Sequence, residues 1–176
     1  MKVARLALAL TLLSSPAFAA LKPGDPAPDF KVEAAKGGKA FDFDLASALK
    51  KGPVVLYFYP KSFTSTCTLE AHEFADNIPN FEAAGASVLG ISGDSIDTQK
   101  EFSSKECRDT FPVGADPSFS VIKAYDASFA GMFAKRISYV IAPDGKVIEA
   151  HEDMGADSHI QMALEAVRQW KAAHQR

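Results

Sequence analysis

The sequence predicts an α/β fold in which helices flank a mixed β-sheet. An unbroken apolar run at 54–59 and a largely apolar segment at 86–92 are typical of buried strands. Segments with helical length and spacing lie between and after these runs, and the turn sequence Pro143-Asp144-Gly145 joins two further strands into a hairpin. Strands that alternate with helices and end in a hairpin indicate a mixed sheet covered by helices.

The elements follow one another in a regular order along the chain. A proline-rich arm at 21–28 is expected to be extended, and the alternating segment at 39–44 predicts an edge strand. Pro53 and Pro60 bound the first buried strand. Pro79 lies inside the longest predicted helix and is expected to break or kink it, because proline has no N–H to donate. The predicted strands are 39–44, 54–59, 86–92, 112–115, 138–142 and 146–151, and the predicted helices are 66–84, 95–107, 118–125 and 157–173.

The composition describes one globular domain and excludes a nucleic-acid ligand. The chain has 176 residues, 47% of them hydrophobic, which is enough for a core of its own. It has 19 basic and 22 acidic residues, a net charge of -3 and no basic run, so it has no surface suited to a phosphate backbone. The two cysteines are too few for a disulfide scaffold, and each needs its own explanation.

Residues 1–19 have the pattern of a signal peptide. A basic start precedes the apolar run at 6–13, and small residues precede a cleavage position near Ala19. The alternative is a transmembrane anchor, which needs about 20 apolar residues, and this run is much shorter. We therefore expect a single mature domain at 20–176 that is exported, in a bacterium to the periplasm, and that is not attached to a membrane after cleavage.

Cys67 lies where the first buried strand passes into the longest helix, in the first helical turn. Unpaired backbone amides and the positive end of the helix dipole favour an anion at that position, so a thiolate is stabilised there. The alternative is a buried, inert cysteine that packs as a small apolar side chain. Polar neighbours argue against that alternative, namely Thr64, Thr66, Thr68 and Glu70.

The motif around Cys67 resembles that of the peroxiredoxins, which are thiol peroxidases with a thioredoxin-like fold. Pro60, Thr64 and Cys67 match the family's Pro-x-x-x-Thr/Ser-x-x-Cys position for position. The segments 57–61 and 67–70 are most similar to the bacterioferritin-comigratory, or Q-type, branch of that family.

A second segment, at 136–145, is similar to the arginine-bearing strand and the following turn of the same family. The resemblance extends over residues 22–172 and implies a thioredoxin-like α/β fold with a mixed sheet. It also implies an enzyme, a thiol-dependent peroxidase that reduces hydrogen peroxide or small organic hydroperoxides and is regenerated by an external thiol donor.

The resemblance assigns roles to five residues of the motifs. It implies that Cys67 attacks the peroxide and becomes a sulfenic acid, while Thr64 and nearby amides hold the peroxide oxygens. Arg136 would polarise the peroxide and stabilise the thiolate, and Pro60 would shield the thiolate from water. Glu70 is either a residue that orients this site or an exposed helix carboxylate. The alternative for Arg136 is a surface salt bridge.

Three roles remain open for Cys107, the second cysteine of the chain. Many Q-type relatives have a resolving cysteine five residues after the reactive one, but here that position is His72. Cys107 lies in a region where other members carry a resolving thiol, which implies an intramolecular disulfide with Cys67. The other possibilities are a permanent structural bridge between the two cysteines, worth about 4 kcal/mol in the entropic model, and resolution by a small thiol or a partner protein.

Two alternative functions remain open at this stage. A thioredoxin-like thiol-disulfide oxidoreductase is disfavoured because the chain has no Cys-x-x-Cys, and 135–137 occupies the place where such proteins carry a proline. The other alternative is a non-enzymatic exported module with a structural disulfide between Cys67 and Cys107.

We expect no cofactor and no metal. Cys67 and His72 lie five residues apart on a helix and diverge, and the other histidines are expected to be solvated, namely His151, His159 and His174. The expected partners are a peroxide and a thioredoxin-like or other thiol reductant, and the expected assembly is a monomer or weak dimer.

Overall fold

A computed structural model describes residues 20–174 of the chain. The predicted signal peptide at 1–19 lies outside the described residues. The strands are β1 (Lys31–Lys36), β2 (Lys39–Asp44), β3 (Val54–Phe58), β4 (Ser87–Ser92), β5 (Val113–Ala115), β6 (Ser128–Phe129), β7 (Phe133–Ala134), β8 (Ile137–Ile141) and β9 (Val147–Glu152). The helices are α1 (Leu45–Leu49), α2 (Ser65–Ala83), α3 (Ile96–Lys105), α4 (Ser120–Ala124) and α5 (Asp157–His174).

Seven of the strands form one mixed sheet in the order β2-β1-β5-β4-β3-β8-β9. Strands β3, β4 and β5 run parallel, whereas β8 pairs with β3 in the antiparallel sense and β9 pairs with β8 as the predicted hairpin. Strands β6 and β7 form a separate small hairpin. The predicted α/β class, with a mixed sheet flanked by helices, is therefore confirmed.

The two faces of the sheet carry two separate apolar cores. Successive side chains of a strand point to opposite faces, so Val55 and Tyr57 of β3 pack with residues of α2, α3 and α5. Leu56 and Phe58 pack on the other face, with residues of α1 and α4. Every residue of β3 is buried, because helices cover both faces of the central strand.

The boundaries differ from the predicted ones at a few places. Helix α2 continues through Pro79, so the predicted break at this residue is wrong, although a proline there leaves one backbone carbonyl without its donor. Helix α3 ends two residues before Cys107. Elements that the sequence did not predict are β1, α1, β6 and β7.

Among residues 20–174, no helix combines the length and the apolar character that crossing a membrane requires.

Candidate active site

The loop between β3 and α2 is fixed before the helix begins. Phe63 adopts a left-handed backbone with φ of 64°, and Thr64 at the N-cap is extended. The Thr64 hydroxyl donates to the carbonyl of Lys61 at 2.9 Å, and the amide of Ser62 donates to Asp94 at 2.8 Å. These contacts turn the chain sharply and set the direction of the helix that carries Cys67.

Cys67 is the third residue of α2. The first intrahelical hydrogen bond runs from the amide of Thr68 to the carbonyl of Thr64 at 2.8 Å, so the amides of 65–67 have no acceptor inside the helix. These amides and the positive end of the helix dipole lie beside the sulfur. The Cys67 side chain is 2% exposed, so little water competes with them.

Arg136, which lies 69 residues after Cys67 in the sequence, contacts the same sulfur. It directly precedes β8, and the pairing of Ile137 with Phe58 places it beside the end of β3. The guanidinium is 5% exposed, and its Nη2 donates to Cys67 Sγ at 3.3 Å. The predicted alternative for Arg136, a surface salt bridge, is wrong because strand pairing buries this side chain.

Glu70 lies one helical turn after Cys67 and is fully buried. Arg136 Nη1 donates to Glu70 Oε2, so one guanidinium contacts both the sulfur and the carboxyl group. Burial raises the pKa of Glu70 to about 8, against the opposing effect of Arg136. The predicted alternative of an exposed helix carboxylate is wrong, because α2 turns this face toward the sheet.

A cleft of about 560 Å³ opens next to these groups, and both Pro60 and Arg136 line it. Its wall is largely apolar, and Phe129 is 63% and Met154 80% exposed. Thr64 is exposed close to the same end of the sheet. The structure therefore brings Pro60, Thr64, Cys67, Glu70 and Arg136 to one place, as the sequence predicts.

Cys107 is fully buried in the same apolar core as Cys67. Both cysteines are free thiols. Burial raises the pKa of Cys107 far above the ordinary value of a thiol. In this conformation Cys107 is therefore a thiol that has no access to solvent.

The turn that carries Cys107 is tied to α2 by a hydrogen bond and an ion pair. His72 Nε2 lies 2.8 Å from Glu106 Oε2, and Arg108 Nη1 lies 2.5 Å from Asp76 Oδ1. Arg108 and the residue after it have positive φ angles of 50° and 60°, a conformation that is costly for residues other than glycine. His72 thus occupies the position of the expected helical cysteine and tethers the turn that holds the remaining one.

A buried polar network supports the loop before α2. The hydroxyl of Tyr59 donates to Gln99 Oε1 at 2.8 Å, and Ser62 contacts the same oxygen at 3.1 Å. The Gln99 amide nitrogen donates in turn to Ser92 and to the carbonyl of Gly114. The sequence does not reveal this network, because contacts of α3 with two strands and with the loop after β3 leave no local pattern.

His159 is fully buried, so the prediction of a solvated histidine is wrong at this position. Its Nε2 lies 3.0 Å from the carbonyl of Asp153 and its Nδ1 lies 2.8 Å from the hydroxyl of Ser138. A carbonyl only accepts, so Nε2 carries the hydrogen and Nδ1 accepts from Ser138. Burial lowers the pKa of His159 to about 4. His159 lies on the apolar face of α5, and its position on that face is the sequence signal that could have predicted its burial.

Comparison with known proteins agrees with this geometry. Residues 23–150 match the model of the AhpC/TSA family. The chain is 32% identical over 151 residues to peroxiredoxin Bcp of Escherichia coli (strain K12), covering 82% of this chain and 94% of that protein. It is 30% identical over 147 residues to peroxiredoxin Bcp of Xanthomonas campestris, covering 73% and 91%.

A solved structure shows the same relationship in three dimensions. The crystal structure of peroxidoxin BcpB from Mycobacterium tuberculosis superposes with a TM-score of 0.77 at 31% identity, covering 85% of this chain and 97% of that one. The fold is therefore the thioredoxin-like peroxiredoxin fold. The family match and these relatives establish that the chain belongs to the AhpC/TSA family and is a thiol-dependent peroxidase.

Proposed function

We propose that this peroxidase reduces hydrogen peroxide and small organic hydroperoxides through Cys67. The observation that carries the proposal is the 3.3 Å contact between Arg136 Nη2 and Cys67 Sγ at the start of α2. A fixed guanidinium and the amides of the first helical turn stabilise a thiolate, which is the nucleophilic form of cysteine.

The first chemical step is attack of the Cys67 thiolate on one peroxide oxygen. The S–O bond forms as the O–O bond breaks, the sulfur is oxidised to sulfenic acid, and the other oxygen leaves as alkoxide or hydroxide. Arg136 lies where negative charge is redistributed from sulfur to the leaving oxygen, so its interaction strengthens along the reaction. The Thr64 hydroxyl already donates to Lys61, and its oxygen is free to accept the peroxide hydrogen.

Organic hydroperoxides fit the surroundings of this site. The cleft beside Arg136 has an apolar wall formed in part by Phe129, Phe133 and Met154. An alkyl or aryl group that lies against these side chains is removed from water, at about 25 cal/mol for each Å² of apolar surface buried. Hydrogen peroxide needs only the polar end of the same site.

We propose Cys107 as the resolving cysteine. Its thiol would condense with the Cys67 sulfenic acid, which forms a disulfide and releases water, and an external dithiol would then reduce the disulfide. Both sulfurs are buried, so bonding requires local unfolding of the first turn of α2 and of the turn that carries Cys107. Their common apolar core and the left-handed backbone at Arg108 support this proposal.

The proposed location and reductant of the enzyme follow from residues 1–19. We propose that residues 1–19 direct export and are removed near Ala19, so that the enzyme works in the periplasm with a thioredoxin-like or other thiol reductant. The apolar run and the small residues before Ala19 support this location. Sequencing the amino terminus of the protein recovered from the periplasm tests it, and a protein that keeps its first residues in the cytoplasm contradicts it.

Steady-state peroxide consumption with a dithiol reductant tests the roles of the two cysteines. Cys67→Ser is expected to abolish turnover, whereas Cys107→Ser is expected to consume one equivalent of peroxide and stop as a sulfenic acid that dimedone traps. The exposed Ser65 offers a matched control on the same turn, and Ser65→Ala is expected to keep turnover. Full turnover by Cys67→Ser would overturn the proposal.

A further inference from the structure

Two acidic groups share a single buried guanidinium at this site. Arg136 donates both to Cys67 Sγ and to Glu70 Oε2. Within residues 20–174, neither group contacts any other cationic side chain. If the thiol and the carboxyl group were both ionised, a net charge of about −1 would be buried without compensation, which is strongly unfavourable. One proton shared by the two groups makes the site neutral.

Of the two acidic groups, the carboxyl group of Glu70 has the surroundings that stabilise an anion less. Glu70 is fully buried, and its Oε1 has no hydrogen-bond partner among the described residues. An ionised Glu70 would leave negative charge on Oε1 with no donor beside it among those residues, whereas in the protonated form Oε1 is the neutral O–H and Oε2 is the carbonyl oxygen that accepts from Arg136. Cys67, by contrast, also has the amides of the helix start beside it.

In the described part of the chain, the other titratable groups around the site supply no second positive charge. Glu73 on α2 is a further acidic group, and burial together with the neighbouring carboxyl group of Asp157 raises its pKa to about 7. On β3, burial raises the pKa of Tyr57 well above its ordinary value, so its hydroxyl is neutral. On α5, His159 is neutral for the reason given above. Burial and this environment agree with the raised pKa of Glu70, about 8.

We propose that Glu70 stores a proton while Cys67 is a thiolate and releases it when Cys67 is oxidised. This inference rests on the proposed role of Cys67. It identifies Glu70 as the source of the proton that the leaving oxygen needs. The thiolate, the protonated Glu70 and the hydroperoxide become the sulfenic acid, the Glu70 carboxylate and an alcohol, or water when the substrate is hydrogen peroxide. The guanidinium loses one counter-charge, the thiolate, and gains another, the carboxylate, so the buried site stays neutral throughout.

Glu70 acts through Arg136 and is a positioning and proton-storing residue, so the decisive readout is the number of protons exchanged. The test uses Cys107→Ser protein, which keeps the sulfenic acid, mixed with hydrogen peroxide in weakly buffered solution near neutral pH with an indicator dye. Adding Glu70→Gln is expected to increase proton uptake from solution by one per Cys67 oxidised. Adding Glu82→Gln, which removes an exposed carboxylate of the same helix, is expected to leave the count unchanged.

Equal proton counts with and without Glu70→Gln would overturn the inference. Dimedone labelling followed by mass measurement shows whether Cys67 was oxidised. If Cys67 is not oxidised at all, the proposed function has failed; if it is oxidised and the proton counts are equal, only this inference has failed. If Glu70→Gln does not fold, infrared difference spectra of the Cys107→Ser protein give the same answer. Loss of a protonated carboxyl band on peroxide addition supports the inference, and no such loss overturns it.

Discussion

Arg136 lies 3.3 Å from Cys67 through its Nη2, although 69 residues separate the two in sequence. The antiparallel pairing of β8 with β3 creates this contact, because it carries the guanidinium to the point where α2 begins. The start of α2 and the guanidinium of Arg136, which directly precedes β8, thus both stabilise negative charge on the same sulfur. Neither the helix start nor the arginine alone would supply the same electrostatic environment.

Arg136→Ala is expected to slow oxidation of Cys67 by about 10²–10³-fold, the usual effect of removing one fixed donor to developing charge. Rapid mixing of the reduced variant with peroxide measures this rate. Lys135→Ala is the matched control, because its ammonium group pairs with Asp126 at 3.5 Å and is not at the sulfur. If thermal unfolding shows that Arg136→Ala mainly destabilises the fold, the role assigned to the arginine is wrong.

Loosening the turn that carries Cys107 is expected to speed disulfide formation. His72→Gln and Arg108→Gln each remove a polar contact that is partly or mostly exposed, worth about 0–1 kcal/mol. The intramolecular step should therefore accelerate by about fivefold at most for each change. Single-turnover kinetics after one equivalent of peroxide measure it.

Lys105→Gln provides the control for these variants. Its ion pair with Glu101 lies within α3 and links no two elements, so disulfide formation should keep its rate. If all three variants form the disulfide at the rate of the parent protein, the contacts of His72 and Arg108 between α2 and the turn do not limit opening.

His159 is expected to make the protein less stable in mild acid. Its pKa is lowered in the folded protein to about 4 from 6.5, so between these values the unfolded chain binds a proton that the folded chain does not. The stabilisation is complete above pH 6.5 and is lost as the pH falls toward 4, by at most about 3 kcal/mol. Denaturant unfolding at several pH values measures this loss.

His159→Gln should be less stable at neutral pH and should flatten that dependence, because glutamine does not titrate. His174→Gln, at an exposed position of the same helix, should behave as the parent protein does. An unchanged pH dependence in His159→Gln would remove His159 as its cause.

The sequence predicted the parts of the fold and site that depend on local patterns. The buried run of β3, the helix start at Cys67 and the Pro143-Asp144-Gly145 hairpin all have short-range signatures, and the structure contains each of them. Strand β1 was missed because its alternation is weak, with charged residues at both ends.

Contacts between distant elements were less accessible to sequence analysis. The burial of Glu70 places its carboxyl group against Arg136, which lies 66 residues away in the sequence and reaches α2 through the pairing of β8 with β3. The contacts of His72 with Glu106 and of Arg108 with Asp76 likewise need the packing of α2 against the turn after α3. Spacing along the chain carries no information on either relationship.

The rate at which reduced Cys67 reacts with hydrogen peroxide tests the central claim most directly. Reduced protein is mixed with equimolar peroxide, quenched at short times with dimedone, and analysed by mass to locate the sulfenic acid. The account expects oxidation at Cys67 that is several orders of magnitude faster than that of a free thiol. A rate equal to that of a free thiol, or oxidation first at Cys107, would contradict it.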